Sequence, residues 1–437
     1  MINNNHELLK VPEGYKQTEV GIIPDDWGKL SIGKNAILHA RIGWQALTTA
    51  EYMSVGDYFL VTGTDFDAGT VNWDRCCFVS EWRFRQDTKI QLKQDDVLIT
   101  KDGTIGKIGF VDSLKKQATL NSGIFVIRPK NNVFIPKYLF YVLTSHFFKE
   151  FINRITAGST IVHLYQKDFV EFEFYVPKSL TEQTAIANAL SDVDALIAKL
   201  EKLIVKKEAI KTGAMQQLLT GRTRLPQFAK REDGTPKGYK DSELGKIPED
   251  WEGVTLGCLS EVRMCKRILS YQTSKAGEIP FYKISTFGGI PDAFISHVLY
   301  EEFKRKYSYP STGDILLSAA GTIGKSVVYD GHKAYFQDSN IVWLDVDKNR
   351  LNNNYLYHYY QNIKWASPEG STISRLYNGI IKSTNIALPL LKEQILIAEI
   401  LSDMDSEIEA LEKRLEKTKA LKQGMMQELL TGRTRLV

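Results

Sequence analysis

Cysteine is scarce in this chain, with four residues among 437 (Cys76, Cys77, Cys258 and Cys265). That number excludes a disulfide scaffold, and neither pair has zinc-like spacing, so reduced packing cysteines are expected. Long apolar runs are missing too, and none approaches the roughly 18 residues of a spanning helix. The opening Met1-Ile-Asn-Asn-Asn-His6 has neither the basic nor the apolar region of a signal peptide, so a cytoplasmic location away from membranes is expected. The thirteen prolines are never adjacent, which removes the Asn/Asp-Pro-Pro-aromatic motif of amino-methyltransferases. The seven histidines show no HExxH spacing, and no glycine fingerprint follows a strand in a dinucleotide-type unit. Acidic residues such as Asp95, Asp96 and Asp102 stand near turns, where carboxylates usually cap or are solvated. Excess charge of one sign is also absent. Lys plus Arg is 56 against 52 for Asp plus Glu, a balance that permits nucleic-acid binding without arguing for it.

One catalytic pattern is nearly present. Ala319-Ala-Gly-Thr-Ile-Gly-Lys-Ser326 fits a relaxed phosphate loop, but such a loop must open a helix at Lys-Ser/Thr. The following Val327-Val-Tyr329 favours a strand, and the corresponding first-copy stretch has Lys101 and Ile108 at the diagnostic ends. With no catalytic constellation left, the chain reads as a binder.

What is present is an internal repeat. From Met215 to Leu225, ten of eleven residues match Met426 to Leu436 at an offset of 211. Thr181–Asp194 matches Lys392–Asp405 at eight of fourteen positions. The opening motif at 13–27 returns at 237–251, Gly103-Thr-Ile-Gly-Lys107 returns as Gly321-Thr-Ile-Gly-Lys325, and Gly158-Ser-Thr160 returns as Gly370-Ser-Thr372. The ends of each copy agree while the interiors differ, as expected of two domains doing one job on different targets.

Each copy divides into a variable lobe and a helical tail. Short strands broken by turns, such as Gln94–Thr100, Gly123–Arg128 and Gly313–Ser318, alternate with brief helical stretches, which predicts α+β lobes. In the tails, Leu190, Val193, Ile197, Leu200 and Ile204 alternate spacings of three and four, as do Leu401, Met404, Ile408, Leu411 and Leu415. These are heptad seams, and Gly221 and Gly432 stand where a helix C-cap places glycine. The seams predict two helices of about 38 residues, each about 57 Å long. The linker from Gly221 to Gly238 is too short to recross a parallel coil comfortably, so an antiparallel pair is expected, with a lobe at each end and a pseudo-twofold axis across it. The division is 13–180 for the first lobe, 181–221 for the first helix, 222–237 for a linker, 238–391 for the second lobe and 392–432 for the second helix.

Candidate DNA contacts follow from side-chain chemistry. The Gly-Thr-Ile-Gly-Lys turns offer Lys101, Thr104 and Lys107 in one copy and Thr322 and Lys325 in the other. A purely structural hairpin, with the isoleucine tucked into the core, accounts for the same pattern equally well. Ser159, Thr160, Ser371 and Thr372 invite the same two readings. After the opening motifs the copies diverge, giving Arg41, Trp44 and Gln45 in one and Arg263, Lys266 and Arg267 in the other. Arg, Lys and Gln can read base edges and Trp can stack, although Trp44 suits the core equally and the three cations suit phosphate anchoring.

Together, the Gly-Tyr-Lys…Ile-Pro-x-Asp-Trp openings at 14–27 and 238–251, the Gly-Thr-Ile-Gly loops, the Glu-Gln-x-x-Ile-Ala helix starts and the Leu-Leu-Thr-Gly-Arg-Thr-Arg-Leu helix ends resemble the DNA specificity subunit of type I restriction–modification systems. The first opening lacks the Ser and Leu of the second, in a segment read as scaffold. The resemblance implies two target-recognition domains joined by conserved helices in an antiparallel coiled coil, each reading one half of a split, asymmetric sequence in double-stranded DNA. It implies no catalysis and no cofactor in this chain. Two modification subunits would bring S-adenosylmethionine, and up to two restriction subunits would bring ATP and Mg. The near-identical helix ends suit a symmetric protein partner. A stand-alone coiled-coil DNA-binding regulator is the competing reading.

Overall fold

The computed structural model describes residues 11–42, 47–157, 163–363, 365 and 375–436. The chain forms two compact units whose boundaries, Leu200/Glu201 and Lys413/Arg414, fall inside the two long helices, not at the ends of the lobes. Each unit is therefore built from one lobe, the start of the helix that follows it, and the end of the helix that follows the other lobe.

In the first unit a hairpin, Tyr15–Thr18 with Gly21–Pro24, leads to the buried Trp27. A six-stranded sheet then runs in the order 36–39, 124–129, 97–100, 108–110, 70–71, 66–67. Beside it lies a three-stranded sheet in which Tyr58–Val61 pairs parallel with Ala118–Leu120 and antiparallel with Cys77–Val79. The central strands Val97–Thr100 and Ile124–Ile127 are buried throughout, as strands covered on both faces must be. Helices Pro136–Thr144 and His146–Thr156 close one face, the first with proline in its opening turn, where the missing N–H costs nothing.

The second unit repeats the plan with fewer strands. Its hairpin is Tyr239–Ser242 with Gly245–Pro248, and its larger sheet has the order 260–264, 341–346, 315–318, 326–328. A smaller sheet pairs Ile279–Tyr282 parallel with Tyr335–Phe336 and antiparallel with Phe294–Ile295. The departure at the first opening motif is harmless. Thr18 Oγ1 donates to Gly21 O at 2.8 Å just as Ser242 Oγ donates to Gly245 O at 2.6 Å.

The long helices are Leu180–Leu218 and Leu391–Leu429, 39 residues each. Within the first unit Glu182 meets Arg435 and Asp194 meets Lys422; within the second, Lys207 meets Glu407, Lys211 meets Asp405 and Arg224 meets Glu393. Partner numbers fall as helix numbers rise, so the pairing is antiparallel in each unit. Leu190, Leu200, Ile204, Leu401 and Ile408 of the anticipated seams are buried. Among the described residues no helix is long and apolar enough to cross a membrane.

Candidate nucleic-acid interface

The helix starts and helix ends that repeat so closely turn out to hold the lobes. In the second unit Arg224 binds Glu393 through Nε and Nη2 at 2.8 and 2.9 Å and Asp250 through Nη1 and Nη2 at 2.7 and 3.1 Å. Trp251 Nε1 donates to the same Glu393 at 3.0 Å. Burial pushes the Asp250 carboxyl up, but the hydrogen bonds from Arg224 and Lys237 outweigh it and hold the group down at about 2. In the first unit Arg435 makes the same fork to Glu182 and Asp26, beside Trp27, and its hydrogen bond holds Asp26 below the usual carboxylate range. The motif residues thus occupy fixed roles. Arginine of the helix end clamps glutamate of the helix start and aspartate of the opening motif.

Glutamine beside that glutamate is fully buried and serves backbone groups that no strand satisfies. Gln183 accepts from Ile135 N at 2.8 Å and donates to Pro177 O at 2.8 Å, while Gln394 accepts from Asn352 N at 2.8 Å and donates to Pro389 O at 2.9 Å. The last aspartate of each helix start meets a lysine of the other helix and an aromatic residue of the lobe. Asp194 accepts from Tyr141 at 2.9 Å and pairs with Lys422; Asp405 pairs with Lys211 and lies 3.8 Å from His358 Nδ1.

On this scaffold the anticipated contact residues fall into three groups. The Gly-Thr-Ile-Gly segments are tight hairpins joining 97–100 to 108–110 and 315–318 to 326–328. Both glycines of each hairpin have positive φ, between 67° and 84°. A hydroxyl at the strand end closes each loop: Lys107 N donates to Thr100 Oγ1 at 2.9 Å, and Lys325 N to Ser318 Oγ at 2.8 Å. Ile105 and Ile323 pack on their cores, so the structural role of the hairpin is real. Thr104 and Thr322 remain exposed. Lys107 Nζ reaches Gly63 O at 3.4 Å and Lys325 Nζ reaches Phe287 O at 2.6 Å, each using one of three ammonium donors. Lys101 lies 5.4 Å from the Phe125 ring. As foreseen for the phosphate-loop lookalike, a strand, Ser326–Val328, follows Lys325.

Arg41 differs from the surface reader envisaged. It is 2% exposed, donating to Leu120 O at 2.9 Å and Thr119 Oγ1 at 3.2 Å, and burial lowers its affinity for a proton. Its guanidinium ties the segment after strand 36–39 to strand Ala118–Leu120 from inside. The second-lobe cations are accessible: Arg263 pairs with Asp345 at 3.5 Å, Lys266 lies over Tyr307, and Arg267 pairs with Asp338 at 2.8 Å. Trp44, Gln45, Ser159, Thr160, Ser371 and Thr372 lie outside the described residues. The chain following the Gly-Ser-Thr segments does bond to the hairpins, through Leu164 N to Lys101 O at 2.9 Å and Leu376 N to Ala319 O at 2.8 Å.

With that geometry in view, the comparisons are direct. The family described as the type I restriction modification DNA specificity domain matches twice, at 38–211 and 248–420. The chain belongs to this type I specificity family. A chain of Haemophilus influenzae, provisionally named a type I restriction enzyme specificity subunit, is 53% identical over 168 residues, 38% of this chain and 44% of that one. The MjaVIII specificity subunit of Methanocaldococcus jannaschii is 26% identical over 97% of this chain and 96% of its own. Among solved structures, the type I S subunit from M. genitalium has a TM-score of 0.58 at 16% identity, covering 92% of this chain and 96% of that one, which shows a shared fold. Membership accounts for the double match: the family domain occurs once per lobe, each time with the helix that follows. Sequence reasoning had located the repeated segments but missed their inward-facing clamp, because no spacing rule links Arg435 to Asp26, more than 400 residues away.

Proposed function

We propose that this specificity-family chain is the sequence-specific DNA-binding subunit of a type I restriction–modification enzyme, with each lobe reading one half of a split, asymmetric target. The observation that carries the proposal is the contrast inside the repeat. Clamp, buried glutamine and hairpin are the same in both lobes, whereas the accessible residues around them differ. A common scaffold with different faces suits two different half-sites on one duplex. Lys101, Thr104, Lys107, Thr322 and Lys325 on the hairpins, with the accessible Arg263, Lys266 and Arg267, are the contacts we assign to DNA, the lysines chiefly to phosphates. Trp44, Gln45, Ser159, Thr160, Ser371 and Thr372 stay assigned on chemistry alone.

On this reading the chain performs no catalysis and works in the cytoplasm on host and incoming DNA. It docks two modification subunits, which supply S-adenosylmethionine, and up to two restriction subunits, which supply ATP and Mg. A stand-alone regulator is separated from this by one experiment. Binding of the purified chain to genomic fragments is measured with and without the cognate modification subunit. The subunit reading expects tight, sequence-selective binding only in the complex. Selective binding by the isolated chain, unaltered by the modification subunit, contradicts it.

A further inference from the structure

The exposed surface of each lobe carries a feature that the sequence alone does not single out. In the first lobe a one-turn segment, Thr49–Glu51, is held by Glu51, which accepts from Thr48 N at 2.9 Å. A short helix, Glu81–Arg85, is capped by Ser80 and tied to that turn by Arg83 Nε donating to Glu51 at 2.7 Å. In the second lobe the corresponding turn, Ser270–Gln272, is held by Gln272, which accepts from Leu269 N at 2.9 Å. The corresponding helix, His297–Lys306, is capped by Ser296. Backbone bridges fix the correspondence: Met53 pairs with Phe78 as Ser274 pairs with Phe294. Counting from these bridges, Ala50 corresponds to Tyr271, and Trp82 to Val298.

At both positions the side chains are exposed, and the large aromatic has changed places. The first lobe shows exposed Ala50 beside Trp82, 66% exposed; the second shows Tyr271, 81% exposed, with Val298, 78% exposed. Large apolar side chains held this far into solvent on a capped turn or helix add little to the lobe's own core. A single exposed one is ordinary, and it is their recurrence on equivalent elements, with cations nearby, that points to a contact. Cations stand close in sequence, and in the first lobe one of them also stands close in space. The Arg83 guanidinium lies 4.9 Å from the Trp82 ring, and exposed Lys266, Arg267 and Lys275 flank the Tyr271 turn. An aromatic residue set among cations suits a polyanion with apolar faces between its charges. The exchange itself identifies the kind of ligand. A protein partner docking alike on both lobes would meet the same residues twice, as it would at the clamp segments. A ligand whose local structure differs between lobes requires different residues on the same carrier.

We propose that Trp82 in the first lobe and Tyr271 in the second are specificity-determining contacts, each placing its ring against the base pairs of that lobe's half-site. The inference rests on the proposed function and deepens it. Its test uses the full chain co-expressed with its modification subunit, comparing wild type, Trp82→Ala, Tyr271→Ala and the conservative Trp82→Phe and Tyr271→Phe. Genome-wide adenine methylation gives the motif, and anisotropy on the mapped target and a scrambled duplex gives the discrimination. Trp82→Ala is expected to lower discrimination about tenfold, the order of loss for one base-pair contact, and to relax bases in one half of the motif only. Tyr271→Ala should relax the other half. The phenylalanine variants should restore most of each effect, and melting temperatures should not move, since both rings are exposed. A wild-type split motif that neither alanine variant alters overturns the inference alone. So does loss of the modification subunit from the complex with DNA discrimination unchanged, which makes these turns and helices a protein interface. A wild-type chain that confers no sequence preference overturns the inference together with the reading beneath it.

Discussion

Lys107 and Lys325 show how one side chain serves two ends. Each ammonium holds a neighbouring loop carbonyl with one donor, and among the described residues its other two have no hydrogen-bond partner, on a hairpin whose glycines let its backbone lie close to a ligand. Alanine at either lysine is expected to weaken DNA binding of the assembled complex on all sequences and to reduce its salt dependence by about one counterion. Titration at several salt concentrations measures both, and an unchanged slope removes the phosphate role. His358 supports a pH prediction. Burial holds its imidazole down at about 4, Asp405 opposing and Lys211 assisting, and among the described residues Nδ1 has no hydrogen-bond partner. The unfolded chain binds that proton near pH 6.5, so stability from this site is complete above about 6.5 and is lost as pH falls toward 4. The loss amounts to about 3 kcal/mol at most. The first lobe has Tyr141 in the corresponding place, bonded to Asp194, so His358→Tyr should flatten the acid limb of a melting-temperature profile. An unaltered limb would place the acid sensitivity elsewhere.

The helix end and the opening hairpin are the elements that make the repeat a fold. Gly432 and Gly221 take φ of +68°, and a Cβ on either would come 2.5 Å from the ring of Pro24 or Pro248. Each glycine is therefore demanded twice, by the cap and by the close approach. The two clamps differ in depth at the arginine and aspartate, 6% and 23% exposed for Arg224 and Asp250 against 30% and 59% for Arg435 and Asp26, while Glu393 and Glu182 are both buried. Removing one partner of a buried pair strands the other charge, so Arg224→Ala should cost about 3–5 kcal/mol. Arg435→Ala also leaves Glu182 buried, but it should cost less, because water already reaches Arg435 and screens Asp26. Denaturant titrations of both variants test the order, and equal losses would contradict the burial argument. The heptad spacing made the long helices legible from sequence, since periodicity is a local property, and the short linker from Gly221 to Gly238 made their antiparallel sense legible. The clamps were not legible. They join segments far apart in the chain, and their conservation between copies looked equally like a docking site.

At the scale of the molecule, the repeat supplies one scaffold twice, with each lobe completed by the end of the other copy's helix. The α+β character of the lobes and the strand after Lys325 followed from local sequence pattern. The placement of Arg41 did not, because a loop arginine near a divergent segment reads as a contact until burial shows it fastening Thr119 and Leu120. Nor did Trp82 and Tyr271 stand out, since exposure of an aromatic is a property of the fold. If the lobes read DNA independently, replacing Trp44 and Gln45 while keeping the buried Arg41 should change one half of the target and leave the other intact, and a change in both would refute independence. The most direct test of the whole account is to co-express the chain with its cognate modification subunit and map methylated adenines across the host genome. The expected result is a split, asymmetric motif that is missing when the modification subunit is expressed alone. No new methylation from a verified stable complex, or a motif identical without this chain, would contradict it.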